Sequence, residues 1–482
     1  MIKHLAMPNA NCNRQHFAMS RREMLCKSGF GFGAIAAAGL LASEDRANGA
    51  PAYNPLAPKA PDFRAKAKHV IFIFLQGGPS HIETFDPKPA LQKWDGQLLP
   101  ESFREFDFAQ TNTADGKLMG PIFPFQKRGE SGIEVSTLFP HIGKHADHLA
   151  VIRSCYHESF IHGAAVTIMS TGTVLLGHPS VGAWVTYGLG SESDSLPAYV
   201  AMTDASFTNG VACFASGFLP AIYQGTHLRT KGAPIMNLTP LKELSNGRQL
   251  SLLNQINRWN TRHRDSRRGD SRLDARIANY ELAFRMQTAA PDLVNIGAET
   301  KATRDLYGID ADETKKFGGM CLLARRMVER GVRYVHLASS GWDAHGDCKG
   351  NHLKNSRKID RPIAALLSDL KQRGLLDETL IVWAGEFGRT PIMQGNKGRD
   401  HHPYGFSCWM AGGGIRGGQV IGATDELGFH AVEDRVHAND LHASMLSLLG
   451  LDHEALTYLF EGRERRLTDI GGSNDLSRRL AG

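Results

Sequence analysis

No run of eighteen apolar residues occurs in the 482-residue chain, so no internal segment reads as a stable membrane span. Cysteine is scarce, with 7 in all and no Cys-x-x-Cys pair, which excludes a disulfide framework and a cysteine-based metal knuckle. Cys12 and Cys26 fall near the start; Cys155, Cys213, Cys321, Cys348 and Cys408 are too widely spaced to assign any bridge. An excess of one charge is also lacking. Fifty-five Lys and Arg stand against 49 Asp and Glu, a net +6, half of it within residues 1–49. The remaining chain is close to balance, which argues against nucleic acid as a partner. Hydrophobic residues at 42% and charged residues at 22% exclude collagen-like, coiled-coil and wholly disordered chains and leave ample material for a core.

The start of the chain is different. Ser20-Arg21-Arg22-Glu23-Met24-Leu25 precedes a mildly apolar, Gly- and Ala-rich run from Gly29 to Ala42. Paired arginines before a short hydrophobic segment read as a twin-arginine export signal over residues 1–49, with cleavage after Gly49. The twin-arginine export machinery is then a partner, and the expected location is periplasmic or extracellular. Residues 50–67, with Pro51, Pro55, Pro58 and Pro61, read as a Pro/Ala-rich linker.

From residue 68 the pattern alternates. His69 to Leu75 is an unbroken apolar run stopped by Gly77-Gly78-Pro79, as expected of a strand buried on both faces. Val332–Ala338, Thr379–Ala384 and Phe406–Ala411 repeat it, each ending at or near glycine, and Leu149–Ile152 is a shorter example. Helical spacing occupies about Gly163–Ser170, Phe317–Arg330 (closed by Gly331) and Ile359–Arg373 (closed by Gly374). This order predicts an α/β fold with a central, mostly parallel sheet flanked by helices, in one domain over residues 68–470. A polar, Arg-rich stretch at about 240–310 reads as an inserted helical segment. Its arginines from Arg258 to Arg276 form either a solvated helix face or an anion-binding surface. Gly412-Gly413-Gly414 reads as a turn rather than a phosphate cradle, and Asp440 as a helix cap beside His437 and His442.

In open α/β sheets, reactive groups gather beyond the carboxyl ends of strands. Each candidate strand here is followed, or preceded, by groups able to bind a cation or move a proton. Gln76, Ser80, His81, Glu83 and Asp86 follow the first. Asp343, His345 and Asp347 follow the second, and Glu386 and Arg389 the third; Asp400, His401 and His402 precede the fourth. Carboxylates and imidazoles converging from different elements are what a divalent metal site requires.

Phe74-Leu75-Gln76-Gly77-Gly78-Pro79-Ser80-His81, Gly341-Trp342-Asp343-Ala344-His345, Gly385-Glu386-Phe387-Gly388-Arg389-Thr390-Pro391 and Gly398-Arg399-Asp400-His401-His402-Pro403 resemble the motifs of the exported family called domain of unknown function 1501. That family resembles, more distantly, the alkaline phosphatase and sulfatase superfamily, and Ala438–Gly450 is similar to a helix of the sulfatases. The resemblance spans roughly residues 68–460. It implies an alkaline-phosphatase-like fold and a hydrolytic site in which two divalent ions, among Zn, Mn, Ca and Mg, act on phosphate or sulfate esters. By position, Asp343 and His345 are the implied ligands of one metal and His401 or His402 completes them. Glu386 stands where the superfamily has an Asp-His pair, and Gln76 where it has a first-strand Asp.

The implied nucleophile has no counterpart. Counting back from Met169-Ser170-Thr171-Gly172 reaches His162 or Gly163, with no Ser, Thr or Cys in register. His162, His81 and Ser80 are therefore the catalytic candidates, each also explicable as a loop cap. The expectation is an exported metal-dependent hydrolase acting on a small-molecule or polysaccharide anionic ester. Its rival is a non-catalytic envelope protein of the same fold that binds an anionic polysaccharide or a protein.

Overall fold

Every residue of His69–Gln76 (β1) is buried, and the strand divides two apolar cores. Val70, Phe72 and Phe74 enter one; Ile71, Ile73 and Leu75 enter the other. This is why the run lacks alternation: both of its faces are covered. The computed structural model describes residues 54–103, 116–230, 246–265, 271–471 and 474–481. The expected leader, including Cys12 and Cys26, lies outside the described residues, as do Arg267 and Arg268.

The strands that follow are β2 (Leu149–Tyr156), β3 (Tyr199–Thr203), β4 (Thr226–Leu228), β5 (Tyr334–Ser340) and β6 (Thr379–Gly385). Next come a separate hairpin of β7 (Gly388–Gln394) and β8 (Gly398–His402), then β9 (Phe406–Ala411), β10 (Gln419–Ile421) and β11 (Val436–His437). Among the described residues the main sheet has nine strands in the order β10-β2-β9-β6-β1-β5-β3-β4, with β11 also beside β2. Only β9 runs antiparallel to its neighbours; the other pairings are parallel. The expected fold class, a mostly parallel sheet flanked by helices, is the observed one.

Helices α1 (His162–Thr171), α2 (Val181–Leu189), α3 (Asn246–Asp265), α4 (Ser271–Val294), α5 (Lys315–Val328), α6 (Cys348–Gln372) and α7 (Ala438–Leu448) complete the layers. Val166 and Met169 of α1, Trp184 of α2 and Met445 of α7 share the core of Phe72 and Phe74. Met320 and Met327 of α5, and Ile359, Ile363 and Leu367 of α6, share that of Ile71 and Ile73. None of the described helices is long and apolar enough to cross a membrane. Cys155, Cys213, Cys321, Cys348 and Cys408 are buried free thiols. Gly412, Gly413 and Gly414 all have positive φ and form a turn. His437, rather than Asp440, is the N-cap of α7, and the Asp440 carboxylate accepts the His437 backbone N–H at 2.8 Å.

Two stretches differ from expectation. Helix α6 begins at Cys348, eleven residues before its apolar stripe, where the Asp347 carboxylate accepts the Gly350 N–H. The buried residues of those first turns include the polar His352 and Asn355, whose side chains bond the Ser80 N–H and the Gly341 carbonyl in loops rather than packing on the sheet. The segment expected as a linker is tied down from Leu56 onward, whose carbonyl accepts the Ser191 N–H at 2.9 Å. Lys59 N–H donates to Leu189 C=O at 2.9 Å, Asp62 N–H to Gly450 C=O at 2.8 Å and Ala67 N–H to Leu448 C=O at 2.9 Å. These acceptors are carbonyls at the ends of α2 and α7, which have no partner within their own helices.

Burial keeps several histidines neutral. It pushes His81, His336 and His352 down to about 3 and His442 to about 4. His336 is ringed by Phe72, Phe74 and Phe207, and its Nε2 has no hydrogen-bond partner. Above the unfolded value near 6.5 both states are neutral. As pH falls below it, the unfolded chain takes up protons that the folded one refuses, and stability drops by about 1.4 kcal/mol per pH unit for each such ring. His336→Phe should remove one such contribution. In urea titrations between pH 6.5 and 4, its stability should fall with a slope shallower than wild type by about that amount. Identical slopes would refute the assignment.

Candidate metal centre

The sheet sets the location. β1, β5 and β6 are parallel and in register, Gln76 beside Ser340 and Leu75 beside Gly385, so their carboxyl ends share one edge. β2 runs the same way and leads through Phe160 to His162 at the first position of α1. β9 runs oppositely, so the β8 segment just before it arrives at that edge as well. Four remote stretches thus meet at one place.

They bring together His162, Asp343, His345 and His401, each offering a ligand atom within 4.8 Å of the others. Asp343 is the centre. Its Oδ1 lies 3.0 Å from His345 Nε2 and 3.2 Å from His401 Nε2, and its Oδ2 lies 3.3 Å from His162 Nε2. The Nε2 atoms of His345 and His401 are themselves 2.8 Å apart. A tetrahedral ion with bonds of 2.0–2.1 Å has ligand–ligand edges of about 3.3–3.4 Å, close to these separations.

The opposite nitrogen of each ring has its own partner. His162 Nδ1 donates to Glu386 Oε1 at 2.7 Å, and His401 Nδ1 to the Phe160 carbonyl at 2.9 Å. His345 Nδ1 donates to Gln394 Oε1, with Asp400 Oδ1 3.7 Å away. A carbonyl can only accept, so His401 Nδ1 carries the proton and Nε2 presents a lone pair; the same holds for a neutral His345 ring opposite the Gln394 amide oxygen, whereas His162, between two carboxylates, must give up its Nε2 proton before that nitrogen can bind a cation. The lone pairs of His345 and His401 and the Asp343 carboxylate, aimed at one point, repel each other unless a cation sits among them. His162 Nε2 is buried and completes no hydrogen bond. The donor set fits a divalent ion, and the outer acceptors are those that orient metal-binding imidazoles.

The Gly77-Gly78 turn after β1 ties these parts together. Both glycines have positive φ, +115° and +68°, and a Cβ on Gly77 would lie 2.3 Å from the Asp343 nitrogen. Their N–H groups donate to Glu386 Oε1 at 2.7 Å and Oε2 at 3.2 Å. Their carbonyls accept from the buried Arg389, whose Nη2 also donates to Asp343 Oδ1 at 2.7 Å. The Phe387 ring packs beside those of His162 and His401, with centroids 5.0 and 4.6 Å apart.

Charges follow this wiring. Burial pushes the Asp343 carboxyl up, but His162, His401 and Arg389 outweigh it and hold the group well below the usual carboxylate range. Burial pulls His162 down, yet the carboxylates of Asp343 and Glu386 prevail and raise it to about 9. In His401 burial wins, and its value is lowered.

Asp343, His345 and His401, anticipated as metal ligands, therefore meet. His162, anticipated as a catalytic group, meets them as a fourth donor. Glu386, anticipated as a ligand, stands behind His162. His402 is turned away, as adjacent strand residues point to opposite faces; its ring bonds the Phe429 carbonyl instead. His81 is buried with Nε2 on the Gly428 carbonyl at 2.9 Å, and Ser80 is fully buried, so neither is open to an ester. The Gln76 amide oxygen is occupied by the Thr208 N–H and hydroxyl. Arg389, Gln394 and the Phe160 carbonyl were not anticipated in these roles. An arginine one turn beyond a strand end that carries Gly-Glu-Phe-Gly was the available signal for Arg389.

Fold and site together define an α/β protein with an imidazole–carboxylate cluster at the carboxyl edge of its sheet. Residues 67–477 match the family described as Protein of unknown function (DUF1501), and the chain belongs to that family. Among curated proteins, none matches the sequence. Similar solved structures include PsFucS1 sulfatase from Pseudoalteromonas sp., at 13% identity over 85% of this chain and 73% of that one, TM-score 0.35. Another is a protein in the alkaline phosphatase superfamily from Vibrio parahaemolyticus, at 11% identity over 90% and 76%, TM-score 0.33. Alkaline phosphatase from the Antarctic bacterium TAB5 is similar at 9% identity over 80% and 99%, TM-score 0.33. At these identities and scores no residue role or substrate carries over.

Glu386→Gln keeps the size of the side chain and removes the charge that fixes His162. It should weaken divalent-metal binding about 10- to 100-fold with the fold intact. Chelator competition on the variant measures this, and unchanged affinity would show that Glu386 does not position the ring.

Proposed function

We propose that this protein is a metal-dependent hydrolase of phosphate or sulfate esters, exported by its twin-arginine leader and acting in the periplasm or outside the cell. The observation that carries the reading is the convergence of three imidazole Nε2 atoms on the Asp343 carboxylate, each ring held by an acceptor at its other nitrogen. Asp343, His162, His345 and His401 would hold the ion. When bound, a divalent cation supplies charge stabilisation for an anionic ester and lowers the pKa of water.

The protein's own residues prepare that chemistry. Arg389 fixes the Asp343 carboxylate from beneath, and Glu386 keeps the His162 proton on Nδ1. The Asp343 and His345 side chains are 44% and 41% exposed, so solvent and an extended substrate can both reach the cluster.

The test is metal analysis of the purified protein together with turnover of p-nitrophenyl phosphate and p-nitrophenyl sulfate under added Zn, Mn, Ca or Mg. Wild type should retain divalent metal and turn over one of the two esters. Asp343→Ala should lose most of the metal and at least about 100-fold in rate. Metal absent from both proteins would refute the metal centre. Metal bound without turnover of either ester would favour the non-catalytic binder.

A further inference from the structure

The oxygens around the cluster are already in use. Glu386 Oε1 accepts from His162 Nδ1 and the Gly77 N–H, and Oε2 from the Gly78 N–H. Gln394 Oε1 takes His345 Nδ1, and the Phe160 carbonyl takes His401 Nδ1. Asp400 Oδ1 accepts the His401 backbone N–H at 2.8 Å, and Gln76 Oε1 is shared by two donors from Thr208. Each of these groups fixes an imidazole or a loop, so recruiting one to a cation would release what it holds. Asp343 is the remaining oxygen donor of the cluster, beside three nitrogens.

Hard cations need the reverse. Ca²⁺ takes six to eight oxygens, several of them carboxylate or carbonyl, and Mg²⁺ a near-octahedral oxygen shell of one or two carboxylates and retained waters, so neither is suited by three imidazole nitrogens. Imidazole-rich sites with one carboxylate suit Zn²⁺ and its first-row neighbours. Arg389 sharpens the contrast. Its guanidinium is fully buried and 2.7 Å from Asp343 Oδ1, so the only carboxylate of the cluster is already partly neutralised by a permanent cation.

Building on the metal-centre reading above, we infer that the site takes one borderline-soft divalent ion of the Zn²⁺ class per chain and discriminates against Mg²⁺ and Ca²⁺. The selectivity arises from this chain's donor count and from the engagement of every neighbouring oxygen named above.

The experiment uses the full exported protein stripped with a chelator and titrated separately with Zn²⁺, Co²⁺, Mg²⁺ and Ca²⁺. Calorimetry and competition with a chromophoric chelator give affinity and stoichiometry, and the visible spectrum of bound Co²⁺ reports its ligands. Zn²⁺ and Co²⁺ should bind at one equivalent, at least about 100-fold more tightly than Mg²⁺ or Ca²⁺. His345→Asp, at a half-exposed position, exchanges a nitrogen donor for an oxygen and should narrow the Zn²⁺ preference over Mg²⁺ while altering the Co²⁺ spectrum. Mg²⁺ or Ca²⁺ binding within tenfold of Zn²⁺, saturation at two equivalents, or no narrowing in His345→Asp would overturn the inference and leave the metal centre standing. Failure of all four ions to bind would remove the centre itself.

Discussion

An imidazole can present either nitrogen, rotate about its side-chain bonds and take or lose a proton near neutral pH, so three of them do not converge on a carboxylate by proximity alone. What fixes them here is a partner at the outer nitrogen of each: Glu386 for His162, Gln394 for His345 and the Phe160 carbonyl for His401. These acceptors come from three places, the end of β6, the end of β7 and the loop after β2. The central sheet, the hairpin and the entry to α1 are therefore all needed before a single ligand is correctly aimed. The rigidity of the site is inherited from the sheet that spaces the acceptors, a common device for holding metal-binding histidines.

The Gly77-Gly78 turn shows how that inheritance works at the scale of two residues. Successive peptide groups there direct N–H donors at Glu386 and carbonyls at Arg389, so one short turn steadies an anion and a cation together. Left-handed backbone and the near contact with the Asp343 nitrogen both demand the absence of a side chain at Gly77. Glu386 lies behind His162 and Arg389 behind Asp343, which places a negative group behind an imidazole and a positive group behind a carboxylate. The cluster thus keeps its lone pairs without accumulating several bare carboxylates.

Much of this was legible in the sequence, for reasons particular to the elements concerned. β1, β6 and β9 are unbroken apolar runs because both of their faces are covered, and the ends of β1 and β6 and the start of β9 mark the functional edge. Asp343, His345 and His401 stand out because metal-binding residue types sit where such a sheet would use them. The start of α6 was hidden because His352 and Asn355 face loops: His352 accepts the Ser80 N–H at 2.9 Å, and Asn355 donates to the Gly341 carbonyl at 2.7 Å. The β7–β8 hairpin was hidden because arginine and histidine usually signal surface, whereas Arg389 and Arg399 are completely buried. Without the hairpin, the opposite orientations of His401 and His402 could not be read, and the two remained interchangeable.

That buried polarity has a structural consequence. Arg399 pairs with Glu83 where neither is exposed, and it also donates to the carbonyls of Thr390, Met119 and Gly120. Apolar contacts would hold the hairpin with comparable strength, but they would tolerate small slides along the strand. A guanidinium with five directed donors does not, because any shift strands a buried charge or an unmet carbonyl. A register error of one residue would swap His401 for His402 at the cluster. The aliphatic and aromatic cores flanking the sheet account for its stability, while the ion pair beneath the hairpin selects which histidine faces Asp343.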